Sequence, residues 1–179
     1  MAAKTKEKPA APETARAPEI TSRNAGTIQV VVFALGNEQF AIDLFDVREV
    51  VEYTTITKLP NVPAYIRGIM DLRGEITTIV DLRHRLGLPE NDEISRETSR
   101  IIVLDSNVTR VKTGILVDDV TSVSTFEASQ VDYTSASVSN EDTGIIGIIK
   151  TKVKVMDKEK SELTIWIDVR KLLDDAETA

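Results

Sequence analysis

The chain has 179 residues, 41% of them hydrophobic and 4% aromatic, with a formal net charge of −7 and no cysteine. That length suits one domain, or two small ones that cannot stand apart. The lack of cysteine excludes disulfides and thiolate metal sites and leaves a reducing cytoplasm as the default compartment. Met1–Gly26 holds five Lys/Arg against three Glu, a net of +2 that leaves −9 on the remainder. An acidic body argues against general nucleic-acid binding, where phosphate neutralisation supplies most of the affinity. No window approaches the ~18 uninterrupted apolar residues of a membrane span. The absence of an apolar h-region at the N-terminus argues against secretion.

Residues 1–27 are rich in Ala and Pro and nearly devoid of large apolar side chains. Such a stretch cannot offset its ordering entropy by burial, and the composition predicts a disordered tail. "IQVVVFAL" (Ile28–Leu35) reads as a strand turned at Gly36-Asn37 into a second, "EQFAID". "FDVREVVEY" (Phe45–Tyr53) fits either a short helix or an irregular strand. "LPNVPAYIRG" is a connecting loop with two prolines, and "IRGIMDLRGEITTIV" is a hairpin with Arg73-Gly74 near its tip. Asp81 reads as the N-cap of a short helix, "LRHRL", ended by Gly87. "RIIVLDS" and "RVKTGILVDDV" are strands, whereas "TSVSTFEASQVDYTSASVSNED" reads as a polar stretch with scattered anchors. "GIIGIIKTKVKVM" is a long strand, "DKEKSE" a charged turn and "LTIWID" the returning strand, after which Asp168 caps "VRKLL". Residues 175–179 are expected to fray.

Two phrases recur. "GEITTIVDLRHRLGL" returns as "ELTIWIDVRKLL" at an offset of 87, matching Asp81 with Asp168 and Arg83 with Arg170. "AIDLFDVREV" returns as "GILVDDVTSV" at an offset of 73, matching Asp46 with Asp119, Val47 with Val120 and Val50 with Val123. Chance recurrence of Ile/Val/Asp-rich phrases is the competing explanation, and the shared order and register weigh against it. The pattern predicts a mainly β fold of two packed five-stranded barrels related by an internal repeat, with short helices. Barrels this small bury too little to stand alone.

Catalytic constellations are missing. His84, the single histidine, lies between Arg83 and Arg85, where a solvated role is expected. Asp118 and Asp119 are neighbours on a strand and point to opposite faces. "GIIGIIKT" fails as a phosphate loop, because only two residues separate its glycines where four are needed and Ile149 precedes Lys150. The pattern points to a binding protein rather than an enzyme. Arg73, at a hairpin tip beside Ile69 and Leu72, is a candidate contact residue, since arginine combines packing with planar hydrogen bonding.

"NVPAYIRGIMDLRGEITTIVDLR" (Asn61–Arg83) resembles the signature of CheW, the coupling protein family of bacterial and archaeal chemotaxis. "VVFALGNEQFAIDLFDVREV", "GILVDDVTSV" and "GIIGIIK…TIWIDVRKLL" are similar to further motifs of that family, in order, from Ile28 to Leu173. The resemblance implies a CheW-like domain over 28–174, made of two intertwined SH3-like five-stranded barrels. It implies a non-catalytic, cofactor-free and metal-free cytoplasmic adaptor, recruited to membrane receptor arrays without inserting into the membrane. Its partners would be the helical hairpin at a chemoreceptor's cytoplasmic tip and the regulatory domain of the histidine kinase CheA. A scaffold for a receptor–kinase pathway outside motility is the alternative. By motif position, Val47, Val50, Leu72, Arg73, Gly114, Val120 and Val123 would serve receptor or kinase contact. The chain departs from the family at Asp71 (usually Asn), Thr78 (commonly Pro), Ser122 (usually acidic) and the charged insert Thr151–Glu162.

Overall fold

The computed structural model describes residues 26–90, 95–133 and 143–174. The expected tail apart from Gly26 and Thr27, and the expected frayed end 175–179, lie outside the described residues. Thr27 already belongs to the first strand. The strands are β1 (Thr27–Leu35), β2 (Glu38–Asp43), β3 (Val47–Glu52), β4 (Ile66–Leu72), β5 (Glu75–Val80), β6 (Arg100–Leu104), β7 (Thr113–Val117), β8 (Asp119–Glu127), β9 (Val131–Asp132), β10 (Ile145–Val155) and β11 (Lys158–Ile167). Two short helices, α1 (Arg83–Leu86) and α2 (Val169–Leu173), follow β5 and β11.

The ambiguous stretch after β2 proves to be both of its alternatives in sequence. Leu44–Asp46 is a 3-10 turn, whose first free amide, Phe45 N, donates to Asp43 Oδ1 at 2.8 Å, and strand β3 follows. Two expectations fail. The polar stretch from Thr121 contains most of the nine-residue strand β8, paired along β1; its β-branched Val120, Thr121, Val123 and Thr125 suit a strand, and every exposed position except Val123 is polar or charged. The rest of that stretch, 134–142, lies outside the described residues. The "DKEKSE" turn shrinks to Met156-Asp157, both at positive φ, and Lys158–Glu162 continues the ladder.

One sheet runs β8-β1-β2-β11-β10-β9 and the other β3-β6-β7-β5-β4. Replacing β1 by β6, β2 by β7, β8 by β3, β10 by β4 and β11 by β5 converts one order into the other, with β9 as an addition. Each copy of the repeat therefore gives its first two strands to the other copy's sheet. The exchanged strands join through the two parallel pairings, Thr164–Trp166 on Gln39–Ala41 and Thr78–Val80 on Thr113–Ile115. Both sheets are open, SH3-like rather than closed by a continuous ladder, and the fold is mainly β as the repeat implied.

The core explains the runs. Along β1, Val30 and Val32 fill the interior of the first sheet with Ala41, Ile149 and Trp166, while Val31, Phe33 and Leu35 face a larger cluster between the sheets. On β6, Ile101 and Val103 fill the second sheet with Met70, Leu72, Ile79 and Leu116, while Ile102 and Leu104 join the central cluster. Strands buried on both faces read as unbroken apolar runs. Each such side chain contributes about 1.5–3 kcal/mol by burial. Gly68, at φ +144, admits no side chain, because a Cβ would stand 2.2 Å from the carbonyl oxygen of Thr57, which pairs with Ile69 beside it.

Candidate functional site

The chain passes between the sheets at two crossings, after β2 and after β7, and an arginine from the opposite copy grips each. Arg83, following β5, donates from Nη2 to Asp118 Oδ1. Arg170, following β11, donates from Nη2 to Asp46 Oδ1 at 2.5 Å and to Asn107 Oδ1 at 3.1 Å, and from Nη1 to the Asn107 backbone carbonyl at 2.9 Å. The alignment matched Asp46 with Asp119, yet the second crossing uses Asp118. The reason is length: a three-residue turn links β2 to β3, while Asp118 alone separates β7 from β8. Asp118 also accepts from Gly36 N at 2.6 Å, and Asp119 is exposed.

Asp81 is more than the N-cap expected of it. The N-cap position of α1 is Leu82, one residue later, although Asp81 Oδ1 still takes the amide of Arg83, the first residue of that helix. Asp81 is fully buried, accepting from Arg67 Nε and Nη2 at 3.0 and 2.8 Å and from the Arg83 backbone and guanidinium at 3.0–3.3 Å. Arg83 is buried with it. Burial pushes its guanidinium towards the neutral form, and the carboxylates of Asp118 and Asp81 more than reverse this, leaving its pKa above the usual arginine value. Asp168 is the true cap, taking the amides of Arg170 and Lys171 on Oδ1 at 3.0 and 3.2 Å.

These grips leave β3 and β8 as equivalent edge strands, each with one neighbour, β6 and β1. Residues directly opposite in a ladder share a face. Val47 and Val50 stand opposite Leu104 and Ile102, and Val120 and Val123 opposite Phe33 and Val31. All four of those partners belong to the central cluster, so the four valines line the seam between the sheets. Val47 and Val120 pack onto the cluster, whereas Val50 and Val123 are 40% and 62% exposed. Phe45, on the first crossing, is half exposed beside them in sequence. Burial raises the pKa of Asp43 at that crossing, a rise opposed by the Phe45 amide and reinforced by Asp46.

Arg73 and Gly74 form the two-residue turn of the β4–β5 hairpin, at φ +56 and +83, as a type I′ turn requires. A non-glycine residue there costs about 1–2 kcal/mol, and a Gly or Asn would lower that cost. What the position retains is an exposed guanidinium, bound to both Glu49 oxygens at 3.1 and 2.7 Å. Asp71 does not compete for it, since its Oδ1 accepts from Gly74 N at 2.7 Å, as an Asn there could. Glu49 was not singled out by the sequence. Its signal was Ser122, the equivalent position on β8, where no such pair exists and the hydroxyl bonds Ser124.

Two candidate contacts are placed inside. Leu72 is buried in the interior of the second sheet, supporting the turn from below. Gly114 is buried on β7, where a Cβ would stand 2.6 Å from the Ile101 side chain, so the glycine serves packing and presents no surface. His84 meets Glu90 at 3.1 Å. Among the described residues no group of His, Asp and Glu could hold a metal ion, and no helix is long and apolar enough to cross a membrane. The candidate site is an apolar seam lined by four valines, while Arg73 is held at the β4–β5 turn by Glu49, whose ladder partner Val103 belongs to the second sheet's interior.

The architecture is a pair of strand-exchanged sheets with one valine, Val50 or Val123, exposed on each seam edge. The family model for the CheW-like domain matches residues 29–177, and the chain belongs to that family. It is similar to the chemotaxis protein CheW of Bacillus subtilis, 31% identical over 147 residues, 76% of this chain and 92% of that one. The probable chemotaxis protein CheW of Rhizobium etli is 34% identical over 106 residues, 59% of this chain and 66% of that protein's length. Among solved structures, the scaffolding protein TtCheW from Thermoanaerobacter tengcongensis superposes with a TM-score of 0.65 at 33% identity, covering 82% of this chain and 92% of that one.

Proposed function

We propose that this chain is a non-catalytic adaptor of a chemosensory pathway, coupling chemoreceptors to the histidine kinase CheA. The observation that carries the reading is the seam, where Val47, Val50, Val120 and Val123 form one apolar lining from two edge strands. A receptor's helical hairpin would lay its apolar face there, with a few anchors carrying the affinity. Arg73, paired with Glu49, would offer a partner a second, polar contact from the hairpin turn. The kinase regulatory domain, itself CheW-like in this family, would pair with the ends of the two barrel subdomains. The two copies of the repeat, intertwined over 28–174, would thus serve two partners. The adaptor would work in the cytoplasm and reach the membrane through the receptor.

Titration calorimetry of an isolated receptor-tip hairpin against the chain tests this. Wild type should bind saturably, and the double variant Val50→Glu/Val123→Glu should bind at least about tenfold more weakly, the ~1.4 kcal/mol of a lost apolar anchor. Both positions are exposed, so the unfolding midpoint should hardly move. Arg73→Glu should leave folding intact and weaken receptor-dependent kinase control. Equal binding by wild type and the double variant would remove the seam from the account.

A further inference from the structure

The two repeat hairpins differ in reach. The offset between the copies is 79 at Gly68 and Gly147 and 87 at Ile76 and Leu163, so the second hairpin holds eight more residues. These extend the ladder from Lys152 opposite Ser161 out to Val155 opposite Lys158, closed by Met156-Asp157. Four added residue pairs at ~3.3 Å each carry the arm roughly 13 Å beyond the length of its counterpart. Past Thr151 the arm has no flanking strand among the described residues. β9 pairs with β10 only at Ile148 and Ile149, and β2 with β11 only at Thr164–Trp166. Among the described residues, both outer edges of the arm present unpaired backbone groups, the template for a further strand.

Lysines on an edge strand discourage pairing with a like edge and favour a strand that sets carboxylates opposite them. The β10 edge reads Lys152-Val153-Lys154-Val155, with lysines on one face and valines on the other. Lys154, Lys158 and Lys160 have no ion-pair partner among the described residues, and Lys152 has only a 3.8 Å contact with Glu159. Val155 is half exposed, and Met156 at the tip is 95% exposed. This basic arm stands on a body whose net charge outside residues 1–26 is −9.

We propose that the outer edge of β10, Thr151–Val155, receives an extended segment of a partner protein in which acidic and β-branched residues alternate. The segment adds as a strand, so backbone pairing supplies affinity. Carboxylates across from Lys152 and Lys154, and apolar side chains across from Val153 and Val155, supply the choice of partner. Asp157 in the turn and Glu159 beside it put carboxylates where an anionic bilayer would lie, which favours a protein partner over a membrane. This site stands apart from the seam and does not depend on the adaptor reading.

The test uses the full chain with two capped peptides, Thr-Glu-Val-Glu-Val-Thr and Thr-Lys-Val-Lys-Val-Thr, followed by backbone amide NMR. The acidic peptide should shift amides of residues 150–156 and bind at least tenfold more tightly than the basic one, with an affinity that falls as salt rises. Replacing Lys152–Ser161 by the Arg-Gly turn of the first hairpin should abolish this. Lys154→Glu, which keeps the arm, should weaken the acidic peptide and favour the basic one. Equal binding of both peptides, no binding, or binding retained by the shortened chain overturns the proposal. So does arm-dependent binding to phosphatidylglycerol vesicles with no response to either peptide, which would assign the arm to a lipid surface.

Discussion

The two crossings repeat one another in sequence and differ in environment. Arg83 and Arg170 occupy equivalent positions and grip equivalent connections, yet the Arg83 side chain is 2% exposed and that of Arg170 48%. The difference lies one strand away. Arg67 stands where the second copy has Ile146; the arginine reaches Asp81, and the isoleucine packs into the first sheet's interior. With Arg67 and Arg83 both on it, Asp81 becomes the centre of a buried network, while Asp168, without such neighbours, is free to cap α2. The same short phrase thus builds a fixed internal joint in one copy and a solvent-facing clasp in the other.

The comparison is broken most severely at Asp81. Asp81→Asn keeps a side chain able to cap a helix but removes the charge between two arginines, one of them buried. Loss of one member of a buried ion pair costs about 3–5 kcal/mol, and urea denaturation of the variant should show a loss of that size. A loss within about 0.5–2 kcal/mol would instead match a helix cap and contradict the network. Arg83→Met should fall in the same larger range, since it leaves Asp118 without its arginine and Asp81 with Arg67 alone.

The second copy should respond more mildly. Asp168→Ala should cost about 1 kcal/mol, the usual effect of deleting a cap, whereas Asp168→Asn should retain most of the stability. Arg170→Met should cost less than Arg83→Met, because Arg170 is half exposed even though its partner Asp46 is buried, and that loss should shrink in high salt. If Arg170→Met proved as damaging as Arg83→Met, the contrast between the two joints would disappear.

The smallest expected effect is a pH dependence at the first crossing. Asp43 has a raised pKa, chiefly through burial, so the folded chain holds its proton more tightly than the unfolded chain. Its stabilising contribution is present below the unfolded value near 4 and is lost as pH rises through the higher folded value. Asp43→Asn keeps an acceptor for Phe45 N without the charge. The variant should match or exceed wild type at pH 7, and the difference should close below about pH 4 in paired melting curves. A difference independent of pH would mean that the charge of Asp43 is not what burial penalises.

Much of this was legible in the chain. Strand runs buried on two faces, the Arg73-Gly74 turn, the Asp168 cap and the repeat itself all follow from patterns that local geometry imposes. The exchange of strand pairs between copies was legible only through the family resemblance, which implied intertwined barrels, because parallel pairing of β2 with β11 and β5 with β7 leaves no local mark. Asp81 was read only as a cap for a related reason: a cap and a buried anchor share the phrase D-[LV]-R, and only Arg67, against Ile146, separates them. β8 was overlooked because its exposed serines and threonines hide a period-two strand. Among the seam residues, Val47, Val50, Val120 and Val123 fall together on one lining, whereas the burial of Leu72 and Gly114 depends on packing that spacing cannot show.

The adaptor reading is tested most directly by reconstituting receptor, kinase and this chain and following kinase phosphorylation as receptor ligand is added. The account predicts that ligand alters the rate only when the chain is present, and that Val50→Glu/Val123→Glu abolishes this control while remaining folded. Ligand control that is equally strong without the chain, or undiminished with the double variant, would contradict it.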